Sequence, residues 1–166
     1  GKYKHIYVST GATFDREVSQ AANILKDDFS FLHCVTRYPT PAEHLNLNRI
    51  SWLKQFTDEV GYSDHSKTED LGVFPACAAI YAGASIIERH FTMLESTQSR
   101  DGPVSITPMQ AAEIVAFAKM SKSDQESKLA EFGFDINMSM GNDGFIMSDE
   151  EYQNRLYYRG RFASLV

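Results

Sequence analysis

The sequence predicts a parallel α/β fold from three observations. Four short apolar segments, each suited to one buried strand, recur about every 25 to 30 residues. A segment with helical periodicity follows each of them. Polar and ionisable residues collect where the predicted strands end, and parallel α/β folds place their chemistry at the carboxyl ends of strands. A doubly wound sheet and half of a (β/α)8 barrel both fit this order.

The first unit begins with YKHIYVST, which predicts a strand that ends at Ser9 and Thr10. The next segment, GATFDREVSQAANIL, predicts a helix with Thr13 as its N-cap. The apolar residues of this segment recur at helical spacing and are Phe14, Val18, Ala21, Ala22 and Leu25. The unit therefore supplies one strand and one amphipathic helix.

The second and third units follow the same order. FSFLHCV predicts the second strand, and the helix after it carries an apolar stripe of Leu47, Ile50, Leu53 and Phe56. EVGYSDH predicts a short third strand with a polar end. FPACAAIYAG predicts the third helix, with Pro75 in its first turn and Gly83 at its end.

The fourth unit consists of the strand ASIIERHF and a helix with a clear start signal. Thr107 is the predicted N-cap, Pro108 stands at the first helical position, and Gln110 completes a capping box. The rhythm is lost after about residue 121. There, NMSMGNDG predicts a loop, and SDEEYQNRLYYRGR predicts a short capped helix.

Composition narrows the possible partners and compartments. The net charge of -6 argues against nonspecific binding to nucleic acid, and the 43% hydrophobic fraction is enough for a real core. Cys34 and Cys77 show no metal-binding spacing, which favours reduced thiols in a cytoplasmic protein. The sequence contains neither an apolar run of about 18 residues nor a signal peptide, so it predicts no membrane span and no secretion.

The strand IIERHF ends in three ionisable residues, which is unusual for a buried strand. Side chains alternate along a strand, so Glu88 and His90 share one face and Arg89 takes the other. If Glu88 and His90 point into a barrel, Arg89 points towards the surrounding helices. There, an ion pair is the favoured role for Arg89.

The preceding strand end repeats this arrangement. Ser63 and His65 share one face, and Asp64 lies opposite. Two histidines on neighbouring strand ends, His65 and His90, each near a carboxylate, could ligate one divalent metal. The alternative, in which each histidine is only a hydrogen-bonded structural residue, stays open on these residues alone.

The first two strand ends carry weaker signals. The turn at Ser9 could bind phosphate or be an ordinary capped turn. Tyr38 precedes a rigid PTP segment, which either aims it at a ligand or only stiffens a loop. His33 and Cys34 are adjacent in a strand and face opposite ways, so they cannot form a nucleophile–base pair.

Four segments taken together resemble the sialic acid synthase family. LHCVTRYPTPAEHLNLNRI, GYSDHS, GASIIERHFT and DGPVSITP occur in the family's order, and VSTGAT resembles the turn after its fifth barrel strand. The resemblance covers about residues 4 to 115. Members of the family include N-acetylneuraminate, legionaminate and pseudaminate synthases and the spore coat polysaccharide proteins.

This resemblance implies the C-terminal half, strands five to eight, of a (β/α)8 TIM barrel. Residues 1–122 would form the half barrel, and residues 123–166 an extension or linker towards the family's small antifreeze-like domain. A half barrel leaves two exposed sheet edges. We therefore expect the chain to be part of a longer protein and to be inactive by itself.

The resemblance also implies an activity. The family joins phosphoenolpyruvate to the open-chain aldehyde of an N-acylated sugar such as N-acetylmannosamine, forming a nine-carbon 2-keto acid and phosphate. By this resemblance His65 and His90 bind the divalent metal, Mn²⁺ or Mg²⁺, and Glu88 is the catalytic carboxylate. The implied substrate-binding residues are Ser9, Thr36, Tyr38, Ser63 and Asp101. We expect a cytoplasmic homodimer that contacts neither nucleic acid nor membrane.

Two residues depart from the family pattern. Val104 stands where the family commonly has a sugar-binding aspartate, so either Asp101 replaces that aspartate or the sugar differs. Thr36 stands where some members have asparagine, which keeps a hydrogen-bonding group without the amide. Another metal-dependent barrel enzyme, such as a hydrolase, and a non-catalytic assembly piece are the alternatives.

Overall fold

A four-stranded parallel sheet organises the chain. The computed structural model describes residues 3–141 and 146–162, with side chains as far as residue 157. The strands are β1 (Ile6–Ser9), β2 (Phe29–Cys34), β3 (Val60–Asp64) and β4 (Ile86–Arg89), in the order β1-β2-β3-β4. Strands that follow each other in sequence are neighbours, without the reversal of order that defines a doubly wound sheet. The sheet is a curled half barrel, as one of the two predicted alternatives requires.

Helices follow each strand and continue beyond the last one. Five helices belong to the strand–helix units: α1 (Asp15–Leu25), α2 (Asn48–Leu53), α3 (Thr68–Leu71), α4 (Phe74–Tyr81) and α5 (Pro108–Ala118). Three more follow, α6 (Lys122–Glu131), α7 (Ile136–Met140) and α8 (Asp149–Phe162). Within the described ranges no helix is long and apolar enough to cross a membrane.

The two predicted helix starts have different outcomes. Thr107 is the N-cap of α5, and its hydroxyl accepts from the Gln110 amide, as predicted. Thr13 as the N-cap of α1 is wrong, because Phe14 occupies that position and the Thr13 hydroxyl donates to the Thr10 carbonyl. The start of α1 is held instead by Glu17, whose carboxylate accepts from the Phe14 amide.

The segment after residue 121 is more helical than predicted. The loop prediction for NMSMGNDG is wrong over residues 137–140, which belong to α7 and are capped by the Asp135 carboxylate; residues 142–145 of that segment lie outside the described ranges. The helix predicted from SDEEYQNRLYYRGR is confirmed as α8. Leu129 of α6 lies in the same core as Phe117 of α5, so residues on both sides of position 122 pack together. The boundary at residue 122 stays a prediction.

The hydrophobic core fills the space between the outer face of the sheet and the helices. The strands supply Phe29, Phe31, Val60 and Tyr62, and the helices supply mainly Ile50, Leu53, Phe74, Cys77, Ile114 and Phe117. Burial of these side chains is the main favourable contribution to the fold. The opposite face of each strand carries the residues that line the barrel interior.

Parallel register places the inward-facing residues in layers. Leu32, Gly61 and Ile86 are paired across three strands. A Cβ at Gly61 would lie 2.3 Å from Leu32 Cδ2 and 2.9 Å from the Ile86 Cβ, so only glycine leaves room for the larger neighbours. The next layer towards the carboxyl ends pairs Cys34, Ser63 and Glu88. The barrel interior therefore has an apolar layer of side chains directly beneath the layer that contains Ser63 and Glu88.

His33 is a buried member of the outer face. It is 1% exposed, and its Nε2–H donates to the Leu45 carbonyl oxygen at 2.7 Å. Burial lowers the pKa of His33 to about 4 from its ordinary 6.5. The imidazole is therefore neutral in the folded protein at neutral pH.

We expect His33 to make the fold sensitive to acid. The folded-state pKa is lower than the unfolded one, so the unfolded chain binds more protons between pH 6.5 and about 4. The stability contribution is complete above pH 6.5 and is lost as the pH falls towards 4. The loss amounts to about 3 kcal/mol at most. Urea unfolding at pH 7.5, 6 and 5 should show a shallower pH dependence in His33→Gln than in the wild type; identical slopes would contradict the assignment.

Candidate active site

The carboxyl ends of the strands open into a pocket of about 490 Å³. Six of the eight predicted site residues line it: Ser9, Thr36, Tyr38, Ser63, His65 and Glu88. The other two lie beside the pocket: His90 packs against His65, and Asp101 lies next to His90. The structure thus brings the predicted residues from all four strand ends together around one pocket.

His65, His90 and Tyr38 form an aromatic group at the mouth. The ring centres of His65 and His90 are 5.5 Å apart, and those of Tyr38 and His65 are 4.1 Å apart. A hydrogen bond of 2.7 Å joins the Tyr38 hydroxyl to His65 Nε2. The predicted pair of histidines on neighbouring strand ends is therefore present.

His65 is neutral at physiological pH. Burial, with a smaller effect from the neighbouring His90, lowers its pKa to about 4. Neutral imidazole is the form that binds metal ions. Among the described residues, however, no group of three or more His, Cys, Asp or Glu side chains comes together to hold an ion. The imidazoles of His65 and His90 would therefore supply only part of the coordination sphere of a metal ion.

Glu88 and Ser63 form a short polar contact on the floor of the pocket. The Ser63 hydroxyl donates to Glu88 Oε1 at 2.6 Å, because register pairs the two residues on adjacent strands. Ser63 is 3% exposed, whereas Glu88 remains open to the pocket. The Ser63 hydroxyl therefore orients the Glu88 carboxylate, which remains accessible from the pocket.

Asp101 lies on the far side of His90. Its Oδ2 is 3.9 Å from His90 Nδ1, which is beyond hydrogen-bonding distance. Asp101 precedes a 3₁₀ turn, Gly102–Val104, in which Val104 is buried. The side chain that departs from the family pattern thus points into the fold, and Asp101 is the polar residue exposed there.

Arg89 forms an ion pair behind the site, as predicted, and its partner, which the prediction did not name, is Asp64. Both side chains are almost completely buried, and Arg89 also donates to the Ser66 and Thr68 hydroxyls at 2.8 and 3.1 Å. Asp64 accepts from the Ser66 amide at 2.9 Å. Burial lowers the pKa of Arg89 to about 10, which still leaves it charged at neutral pH. The network fixes the loop that follows His65.

Cys34 faces the pocket, while the adjacent His33 faces the core. Its sulfur is 3.8 Å from His65 Nδ1, a contact between neighbouring strands that the sequence-based prediction did not include. Burial raises the pKa of the Cys34 thiol to about 11. The thiol is therefore protonated at neutral pH and is not an activated nucleophile.

The remaining side of the pocket comes from the first two strand ends and from α8. Gly11 lies against Thr36 and Cys34, where a Cβ would stand 2.8 Å from Thr36 Oγ1. Arg155 of α8 lines the pocket, and neither it nor Glu151 was a predicted site residue. Both are buried charged residues one helical turn apart, a spacing that is also common on exposed helices, so the sequence did not single them out.

Comparison with known proteins identifies the relatives. The chain matches the model of the NeuB family over residues 1–128. It is similar to a pseudaminic acid synthase of Campylobacter jejuni, with 30% identity across 97% of this chain and 43% of that protein. It is also similar to the N-acetylneuraminate-9-phosphate synthase of Homo sapiens, with 34% identity across 63% of this chain and 29% of that protein.

Solved structures show the same fold. The N-acetylneuraminic acid synthetase of Leptospira borgpetersenii, crystallised with citrate, superimposes with a TM-score of 0.61 at 28% identity, over 95% of this chain and 50% of that one. A spore coat polysaccharide biosynthesis protein of Bacillus subtilis gives a TM-score of 0.73 at 24% identity, over 91% of this chain and 42% of that one. The chain thus spans at most about half the length of these relatives.

Removing one partner of the buried ion pair should destabilise the site. Arg89→Met leaves the Asp64 carboxylate buried without its cation, which typically costs about 3–5 kcal/mol. The control is Lys67→Ala, which removes an exposed cation from Glu69 and Asp70 and should leave the unfolding free energy nearly unchanged. Urea unfolding of both variants measures the difference, and equal effects would contradict a structural role for the buried pair.

Proposed function

Because the chain belongs to the NeuB family, we propose that its protein condenses phosphoenolpyruvate with the aldehyde of an N-acylated amino sugar to form a nine-carbon 2-keto sugar acid. The observation that carries this proposal is that His65, Glu88 and Tyr38 line one pocket, while His90 lies against His65 and Tyr38 beside it. The relatives are named as synthases of such acids, which favours condensation over hydrolysis.

The proposal assigns the four strands to the second half of a (β/α)8 barrel. The sequential parallel order and the polar layer at the carboxyl ends support this assignment. The relatives are about twice as long as the chain or longer, which leaves length for the first four strands. In the same proposal the complete protein is a cytoplasmic homodimer, and the four strands alone do not catalyse the condensation.

We assign His65 and His90 to a divalent metal ion, for which His65 Nε2 would have to give up its hydrogen bond to the Tyr38 hydroxyl. Two imidazoles on one ion, with metal–nitrogen distances of about 2 Å, place their ring centres roughly 5 Å apart. The observed distance is 5.5 Å, and the low pKa of His65 keeps that ring in the metal-binding form. When bound, Mn²⁺ or Mg²⁺ would act as a Lewis acid on the aldehyde oxygen of the sugar.

Glu88 is the residue suited to proton transfer or to orienting a water molecule. Its Oε1 is occupied by the Ser63 hydroxyl at 2.6 Å, which fixes the carboxylate, and the side chain faces the pocket. A positioned carboxylate beside the reacting aldehyde can take up or deliver a proton during the condensation. Ser63 contributes either by holding Glu88 or by contacting phosphate directly.

The remaining predicted residues divide into two groups around the pocket. Ser9 and the turn after it are assigned to the phosphate of phosphoenolpyruvate. Tyr38, Thr36 and Asp101 are assigned to the acceptor sugar. Thr36 lines the pocket, and its buried Oγ1 has no hydrogen-bonding partner within the described residues, which is unusual for a buried hydroxyl and supports a polar role for this residue.

The test of this function is phosphate release by the full-length protein. Phosphoenolpyruvate with N-acetylmannosamine and related N-acylated sugars should yield phosphate and a 2-keto acid, and Glu88→Gln should lower kcat by about 10²- to 10⁴-fold. Glu59→Gln is the matched control, because Glu59 is exposed at the opposite end of β3. No turnover of any N-acylated sugar by a folded, metal-loaded wild type would contradict the proposal.

The metal assignment has a separate test by calorimetry with Mn²⁺. His65→Ala and His90→Ala each remove a proposed ligand, so each should weaken Mn²⁺ binding by more than the 10- to 100-fold that indirect partners typically cost. His5→Ala is the control, since His5 precedes β1 at the amino end of the sheet and bonds to Ser30. Unchanged Mn²⁺ affinity in both site variants would remove His65 and His90 from the metal site.

A further inference from the structure

One face of α8 contacts the two strand ends that form one side of the pocket. Glu151, Asn154 and Arg155 are spaced at i, i+3 and i+4, so their side chains lie on the same face. Glu151 and Arg155 are 2% and 6% exposed, which is unusual for charged residues. These residues lie beyond the segment 1–128 that matches the family model.

Two of these side chains hold the backbone at Thr36. The Thr36 amide donates to Glu151 Oε1 at 3.2 Å, and Asn154 Nδ2 donates to the Thr36 carbonyl at 2.7 Å. The second oxygen of Glu151 accepts from the Ser148 amide at 3.1 Å, which ties the start of α8 to the same group. Both polar backbone groups of Thr36 are therefore satisfied by one helix.

Arg155 holds the turn after β1. It donates to the Ala12 carbonyl and to Glu17 Oε1, both at 2.6 Å, and its guanidinium lies 4.6 Å from the centre of the Phe14 ring. Ala12 has a φ of 50°, a conformation that costs energy in a residue with a Cβ. Arg155 thus supports a strained turn, and its bonds to protein groups make it a poor ligand for a substrate anion.

We propose that Glu151, Asn154 and Arg155 are positioning residues, which hold the Ser9–Thr13 turn and Thr36 in the geometry that binds substrate. The expected effect on turnover rests on the proposed function. The contacts of α8 with the two loops do not depend on that function. Within the part of the chain that the structure describes, Thr36 Oγ1 is buried without a partner, so its direction depends on a backbone that α8 holds at both its amide and its carbonyl. Precise placement of substrate groups is worth large factors in rate.

The first test is hydrogen–deuterium exchange in the full-length, ligand-free protein. Asn154→Ala and Arg155→Met should increase amide exchange about tenfold in the peptides that contain residues 9–13 and 35–38. Arg155→Lys can retain one of the two bonds and should give an intermediate effect. Gln153→Ala is the control, because Gln153 lies on the exposed face of the same helix.

The second test is steady-state kinetics with phosphoenolpyruvate and the acceptor sugar. Loss of positioning should raise the KM values by about tenfold or more and lower kcat less, with Mn²⁺ affinity unchanged. Local exchange changes together with raised KM values would support the proposal. Unchanged exchange, exchange increased across the whole barrel, or unchanged KM values would overturn it.

The two tests separate this inference from the proposed function. If the wild type binds Mn²⁺ but turns over no N-acylated sugar, the proposed function fails and the exchange result alone decides the role of α8. If the wild type is active and Asn154→Ala behaves like Gln153→Ala in both measurements, the positioning role fails and the function stands.

Discussion

The alternation of side chains along parallel strands in register is the constraint on which the site depends. β2, β3 and β4 are paired so that Cys34, Ser63 and Glu88 form one inward-facing layer. His65 and His90 follow two residues later on the same face, which brings their rings within 5.5 Å. A shift of one residue in either pairing would send these groups into the helical layer.

The same alternation explains why charge could be buried on the other face. Asp64 and Arg89 are the outward neighbours of the site residues, and they meet because they are paired in register. Each compensates the other's charge, and the Ser66 amide and hydroxyl hydrogen-bond to Asp64 and Arg89, whereas Arg89 Nε has no hydrogen-bonding partner within the described residues. An ion pair of this kind contributes little net stability but penalises the loss of either partner. The alternation of side chains along the strands thus accounts both for the polar residues at the pocket and for the buried ion pair behind them.

Much of the fold and the site could be predicted because the signals are local. Strand ends with ionisable residues, such as the Glu88–His90 pair, follow from a period of two along the chain. The N-cap of α1 was missed because Glu17, three residues further on, holds the Phe14 amide without help from Thr13. The contact of Glu151 with Thr36 joins residues 115 positions apart, and nothing in the local sequence of either one specifies it.

The position of α8 shows that a domain bounded by the family model differs from one bounded by the hydrogen bonds of the fold. The family model matches residues 1–128, whereas similarity to a pseudaminic acid synthase covers 97% of the chain, and residues after 150 complete the hydrogen bonds of Thr36 and Ala12. The segment matched by the family model is therefore smaller than the unit joined by these hydrogen bonds. A chimera that exchanged barrels at residue 128 would inherit every predicted site residue and lose the support of two of its loops. The exchangeable module in this protein extends at least through Arg155.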